Sequence, residues 1–220
     1  MESGAFVARH AFELVVVRHG RTAWNADGRF QGATDVPLDD VGRAQARAVA
    51  ALLAHDRFAR AVSSPLSRAR ETAELVLGTR GPALDVDERW REMAFGAWEG
   101  LTWPQIVARY PELDDAGATA PKTYVPEGGE SFDDACARVR AALAALDAAA
   151  TDDDRVLVAT HAGPLHALLR VVMGETDATA LGVRFSPASV TRVRVGPGGG
   201  RVVDLNRTAP ELPAPAPGDA

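Results

Sequence analysis

The sequence offers nothing to cross-link: Cys136 is its only cysteine, so no internal disulfide can form, and a reducing compartment fits. Lysine is equally scarce. Lys122 is the only one, and every other Lys/Arg position is an arginine, so anion contacts here rely on the planar guanidinium fork. No apolar stretch reaches membrane-spanning length, and residues 1–12 carry Arg9 and His10 but no apolar run of the kind a signal peptide needs. Positive charge is not in excess. The formal net charge of −6 excludes a broad basic surface for nucleic acid or an anionic membrane and leaves anion binding to a local pocket. Together these absences predict a soluble, cytoplasmic protein with neither nucleic acid nor membrane as partner.

What is present is core. At 46% hydrophobic and 25% charged over 220 residues, the chain can close one sizeable domain. Leu14-Val15-Val16-Val17 is a buried strand that breaks at once into Arg18-His19-Gly20. Val41, Ala44, Ala48, Leu52 and Leu53 mark an amphipathic helix after the cap at Asp39-Asp40. Ala61-Val62-Ser63 is a short strand, and Ser64 with Pro65 predicts the cap and first residue of a helix reaching Leu77. Leu84-Asp85-Val86 reads as an edge strand, 104–110 as a short helix, and 111–130 as a loop long enough to be a lid. Ser131 caps a long helix to Ala149, Val156-Leu157-Val158-Ala159 is a second buried strand, and a helix follows over 164–173. Val190 to Val195 and Val202 to Leu205 pair as an antiparallel hairpin. The alternation predicts an α/β fold: a three-layer α/β/α sandwich on a mostly parallel sheet with an antiparallel edge. The expected organisation is an extension over 1–12, one domain over 13–207 with a cap at about 103–130, and a disordered tail over 208–220.

Two buried strands end in histidine, at His19 and His161, each followed within two residues by glycine, which lets backbone N–H groups approach an anion. A third strand delivers Ser63-Ser64, with Arg68 in the first turn of the next helix, where the helix dipole disfavours a cation and a ligand would explain it. Arg18, Arg68, His19 and His161 can therefore converge on one dianion at the carboxyl edge of the sheet. A metal fits poorly, because His161 and His166 fall on different helix faces and no Asp or Glu flanks either strand-end histidine at ligand spacing. With phosphate in the site, a neutral His19 can attack phosphorus and the arginines can stabilise the spreading charge. An alkoxide leaving group also needs an acid. Glu88, Glu92, Glu99, Glu127 and Glu130 are candidates that spacing does not separate, although Glu92 stands among Trp90, Met93, Phe95 and Trp98, which would favour a protonated carboxyl.

The motifs resemble those of the histidine phosphatase superfamily, also called the phosphoglycerate mutase-like family, over about residues 15–174. They are Arg18-His19-Gly20 with Thr22 and Asn25; Arg29-Phe30-Gln31-Gly32 with Asp35; Ser63-Ser64-Pro65-Leu66 with Arg68; Arg91-Glu92 with Phe95-Gly96 and Trp98-Glu99-Gly100; Gly128-Gly129-Glu130-Ser131; and Thr160-His161-Ala162-Gly163. The resemblance implies a phosphoglycerate mutase-like fold in which His19 is phosphorylated, Glu92 donates the proton, and Arg18, Arg68 and His161 clamp the phosphate. It implies that Asn25, Gln31, Gly32 and Ala162 contact the substrate, that Glu99 is structural, and that neither metal nor cofactor is needed. Arg21, Trp90 and Ala162 depart from the commoner residues, and Arg21 would add positive charge near the pocket mouth. Mutases of the family carry extra basic residues in the cap, whereas 103–130 has only Arg109 and Lys122. The expectation is a metal-independent phosphomonoesterase acting through phosphohistidine on a small phosphorylated metabolite, similar to α-ribazole phosphate phosphatase and broad-specificity phosphatases. The alternatives are a cofactor-dependent phosphoglycerate mutase and a non-catalytic phospho-ligand binding protein. A homodimer is expected from the family alone.

Overall fold

Leu14, Val15, Val16 and Val17 are all buried, so their strand needs a layer on each face, and the computed structural model provides both. It describes residues 4–79, 81–116, 124–174 and 183–210. Strand β1 (Phe12–Arg18) runs parallel to β4 (Arg155–Thr160) on one side and antiparallel to β5 (Val190–Gly196) on the other. β2 (Arg60–Ser63) lies parallel between β4 and the edge strand β3 (Leu84–Val86), and β6 (Gly199–Arg207) closes the far edge as a hairpin with β5. The order β3-β2-β4-β1-β5-β6 is the expected parallel sheet with an antiparallel edge.

Alternation divides the sheet's side chains between two cores. Phe12, Leu14 and Val16 join Val156 and Val158 beneath α5 (Phe132–Ala149) and α6 (Ala162–Met173). Val15 and Val17 join Ala61 and Leu157 against α2 (Asp40–Leu52) and α3 (Ser67–Leu77). The caps of α2 and α5 follow the sequence, with Asp39 accepting from Gly42 N–H at 2.7 Å and Ser131 from Asp134 N–H at 3.1 Å. A short helix α1 (Ala23–Ala26) follows β1, and α4 (Trp103–Arg109) contributes Ile106 to a satellite cluster in which Trp98 and Leu113 pack with Phe30 and Tyr124.

Several boundaries differ from expectation. α3 starts at Ser67 with Leu66 as its uncapped boundary, because the Ser64 hydroxyl is engaged by His161 and Ser67 N–H is taken by Asp35 at 2.9 Å. α6 starts two residues early, at Ala162, and the β5–β6 hairpin is longer at both ends. Within the expected N-terminal extension, Phe6 and Ala8 are buried in the α5/α6 core, and Phe6 N–H donates to Val171 carbonyl at 2.7 Å. Of the expected cap, 117–123 lies outside the described residues, as do 211–220 of the expected tail.

Candidate active site

Parallel strands bring their carboxyl ends to one edge, and here three of them deliver chemistry there. β1 ends in Arg18-His19, β4 in His161 and β2 in Ser63-Ser64, while α3 supplies Arg68 from its first turn. The turn after His19 is tight: a Cβ on Gly20 would stand 2.4 Å from the Gly42 carbonyl oxygen, so only glycine fits.

His19 is 2% exposed, and its Nδ1 lies 2.7 Å from the Gly20 carbonyl oxygen. A carbonyl only accepts, so Nδ1 carries the proton and Nε2 keeps its lone pair. Burial, reinforced by the positive charges of Arg18 and Arg68, holds the imidazole well below the usual histidine range and hence neutral. The His161 ring stands beside it, centroids 5.1 Å apart and planes tilted by 56°. Burial first, then the charges of Arg68 and Arg18 and the neighbouring His19 ring, keeps that ring neutral too.

Arg18 donates to the Phe185 carbonyl, and Arg68, with no exposed surface, donates to the carbonyls of Thr34 at 2.8 Å and Gly32 at 2.9 Å. These bonds fix both guanidiniums without neutralising them. Nε of Arg18, Nε of Arg68 and Nδ1 of His161 are buried with no hydrogen-bond partner among the described residues. Such a cluster of unmet nitrogen groups is costly in a folded interior, and a bound oxyanion would satisfy it. The same cationic surroundings oppose a metal ion, and no group of three or more metal-ligating side chains occurs among the described residues.

Glu92, 7% exposed, accepts at Oε1 from Met93 N–H at 2.9 Å and Gly163 N–H at 3.0 Å. Its negative charge is felt by both Arg18 and Arg68, which places it at the same centre. Of the apolar neighbours expected around it, Met93, Phe95 and Trp98 line the same cavity, whereas Trp90 is buried in the main core. Among the other glutamates, Glu99 is structural as expected: it accepts from the N–H groups of Ala33, Thr34 and Phe95 at 2.9 to 3.0 Å. Glu130 reaches the cavity but is gripped by Arg138 at 2.7 and 3.0 Å.

Above His19 opens a cavity of about 860 Å³, and Asn25, Gln31, Gly32 and Ala162 all line it. Thr22 links the first two, its N–H donating to Asn25 Oδ1 at 3.1 Å and its Oγ1 lying 3.0 Å from Gln31 Oε1. Gly32 needs its glycine, with φ of +54° and a virtual Cβ 2.1 Å from Glu99 Oε1. Arg21 is a correction. It pairs with Asp39 at 2.8 Å and does not line the cavity, so it adds no charge to the mouth. Sequence reasoning missed His166, Arg184 and Phe185 on the cavity wall. His166 was findable, since 162, 166 and 169 share one face of α6; Arg184 and Phe185 sit in an aperiodic connection with no such signal. His166 Nδ1 and Nε2 lie 2.7 and 2.8 Å from the carbonyls of Ala162 and Val183, tying that connection to α6.

Residues 14–208 match the family model described as the histidine phosphatase superfamily, branch 1. Glucosyl-3-phosphoglycerate phosphatase of Mycobacterium tuberculosis is 41% identical over 171 residues, covering 72% of this chain and 74% of that one. The solved structure of the mycobacterial enzyme of that name, complexed with VO3, superposes with a TM-score of 0.80 at 35% identity, over 89% of this chain and 99% of that one. A protein of Escherichia coli provisionally described as an α-ribazole-5′-P phosphatase gives a TM-score of 0.81 at 27% identity, over 93% and 100%. A bifunctional protein of Mycobacterium tuberculosis is 39% identical over 163 residues, 73% of this chain but 44% of the relative, so this chain matches less than half of that protein's length.

Proposed function

The chain belongs to branch 1 of the histidine phosphatase superfamily, and from that premise we propose that it hydrolyses phosphomonoesters without a metal, through a phosphohistidine on His19. The observation that carries the reading is a neutral imidazole with Nδ1–H held by Gly20 and Nε2 unprotonated, set among guanidiniums whose Nε groups lack acceptors among the described residues. Nε2 attacks phosphorus in line, the P–O ester bond breaks, and Glu92 in its acid form protonates the departing alkoxide. Glu92, now a carboxylate, takes a proton from water as that water attacks phosphorus; the P–N bond breaks, and phosphate and free His19 result. Arg18, Arg68 and His161 hold the equatorial oxygens. Preorganised donors of this kind are each worth roughly 3 kcal/mol in a transition state.

The substrate class is a small phosphorylated metabolite with a bulky leaving group. A cavity of about 860 Å³ exceeds what phosphate needs, and Phe30, Phe95, Trp98 and Tyr124 give its wall aromatic surface, with Asn25, Gln31, Gly32 and Ala162 towards the substrate. Relatives named for glucosyl-3-phosphoglycerate and α-ribazole-5′-P fit the same class. The proposal takes 13–207 as the phosphatase domain, with its cap at about 103–130, in the cytoplasm, as a homodimer and with no nucleic-acid partner. No helix among the described residues is long and apolar enough to cross a membrane. The test is phosphate release from aryl, nucleotide, ribazole-type and sugar phosphates by wild type and His19→Ala, with 3-phosphoglycerate isomerisation followed in parallel. Release that requires His19, without isomerisation, is the expected result; isomerisation with little release would make the protein a mutase.

A further inference from the structure

Ser64 closes β2 with no exposed surface, and its Oγ lies 2.7 Å from His161 Nε2. It is not the side-chain cap of α3, so its hydroxyl needs another account. A hydroxyl has one proton and two lone pairs. Leu66 N–H donates to Ser64 Oγ at 3.3 Å and occupies one lone pair. Ser63 Oγ donates to the Ser64 carbonyl at 2.9 Å and does not compete for the hydroxyl. Among the described residues, the remaining hydrogen-bond partner of the hydroxyl is His161 Nε2. If Nε2 carried the ring proton, the serine proton would be a buried donor with no acceptor, which folded interiors avoid. The satisfied arrangement has the serine donating to Nε2 and the ring proton on Nδ1.

We propose that Ser64 is a positioning residue: its hydroxyl fixes His161 as the Nδ1–H tautomer and so presents a neutral N–H donor to the phosphoryl group at His19. Two facts agree with it. His161 Nδ1 is buried and unpartnered, which is where a donor awaiting an oxyanion would be. Burial also keeps the ring neutral, so it has one proton to place. The two histidines then share a tautomer for opposite purposes. In His19 the bonded Nδ1 proton frees the Nε2 lone pair to attack; in His161 the bonded Nε2 lone pair frees the Nδ1 proton to bind. The tautomer stands on geometry alone, and its use in catalysis rests on the phosphatase reading.

Nitrogen-15 NMR of histidine-labelled protein separates the two levels, because the tautomer is readable without turnover. The five ring systems are distinguished by the loss of one set in His161→Ala. In wild type, His161 is expected to show a protonated Nδ1 and an unprotonated Nε2, and Ser64→Ala to shift the ring towards the Nε2–H form. A protonated Nε2 in wild type would overturn the proposal, and so would a tautomer that Ser64→Ala leaves unchanged. The wild-type spectrum decides even if the variant folds poorly. Kinetically, Ser64→Ala should lower kcat/KM roughly 10- to 100-fold, as loss of a group orienting a catalytic histidine does, and less than about twofold when His161→Ala is already present. An equal loss in both backgrounds would make Ser64 merely structural. Absence of phosphatase activity in the wild type, with the tautomer as expected, would count against the phosphatase reading and not against the serine.

Discussion

Among the described residues, Arg18, Arg68 and His161 each keep a buried nitrogen without a partner, while another nitrogen of each is anchored to a carbonyl or to a serine hydroxyl. On the proposed reading that division makes a preorganised anion site: the anchors fix direction, and the unmet groups would meet the ligand's oxygens. Glu92 is built differently. It meets backbone N–H groups at Oε1 and, among the described residues, has no arginine bonded to it, unlike Glu130, which Arg138 holds by two bonds. Glu92→Gln should therefore discriminate by leaving group. Alkyl phosphates, which need a proton on a poor leaving group, should slow by roughly 100-fold or more, and activated aryl phosphates far less. Steady-state kcat on one ester of each kind measures the ratio, and equal slowing would remove Glu92 from the acid role. These residues were legible in the sequence by their motif positions. The role of Ser64 was not, because a Ser-Pro pair before a helix reads as a cap until a histidine from another strand is seen beside it.

The elements around the site are held by close backbone approach more than by side-chain bulk. Gly163, in the first turn of α6, is the clearest case: an added Cβ would lie 2.4 Å from Glu92 Oε1 and 2.9 Å from Met93 Cγ. Gly163→Ala must push Glu92 away from the N–H that holds it. A displacement of this size costs about 100-fold in reactions that depend on alignment, so the variant should reproduce the leaving-group selectivity of Glu92→Gln with its fold retained. Parallel kinetics on alkyl and aryl esters, with circular dichroism for the fold, check this; full activity on alkyl esters would contradict it. The elements themselves were legible where periodicity or a cap marked them, as in β1, α2 and α5. The α3 and α6 starts were misplaced because tertiary bonds to Ser64 and Ser67, and the geometry at His161, override local capping signals. The 183–185 connection had no local signal, since it is placed by tertiary contacts: His166, Arg18 and Asn206 bond its carbonyls, and Phe185 packs into the main core.

At the scale of the whole molecule, the layers and the mostly parallel sheet with its antiparallel edge followed from the alternation of strands and helices, whereas the strand order β3-β2-β4-β1-β5-β6 is set by tertiary pairing that the sequence did not disclose. Residues 5–11 were the exception. An amphipathic signal over so few residues is too weak to predict that Phe6 and Ala8 join the main core. Global stability should also carry the imprint of the site. His19 and His161 are held below their ordinary range, first by burial and then by nearby positive charge. The unfolded chain protonates near pH 6.5 while the native rings stay neutral, so stability is full above that pH and falls as pH drops towards the native values. The slope is about 1.4 kcal/mol per pH unit for each ring. Depressed carboxyls such as Asp147, whose burial is outweighed by bonds from His10 and Arg9, contribute only further down, below about pH 4. Urea unfolding between pH 7.5 and 5 should show the decline, and His19→Asn should flatten it; a stability independent of pH across that window would contradict the buried neutral rings. The central claim is tested most directly by trapping the phosphoenzyme. Rapid mixing with an aryl phosphate and an alkaline quench should place one phosphoryl group on His19, by peptide mass spectrometry, and none in His19→Ala. Turnover with no phosphoryl group on His19, or with the label on another residue, would contradict the account.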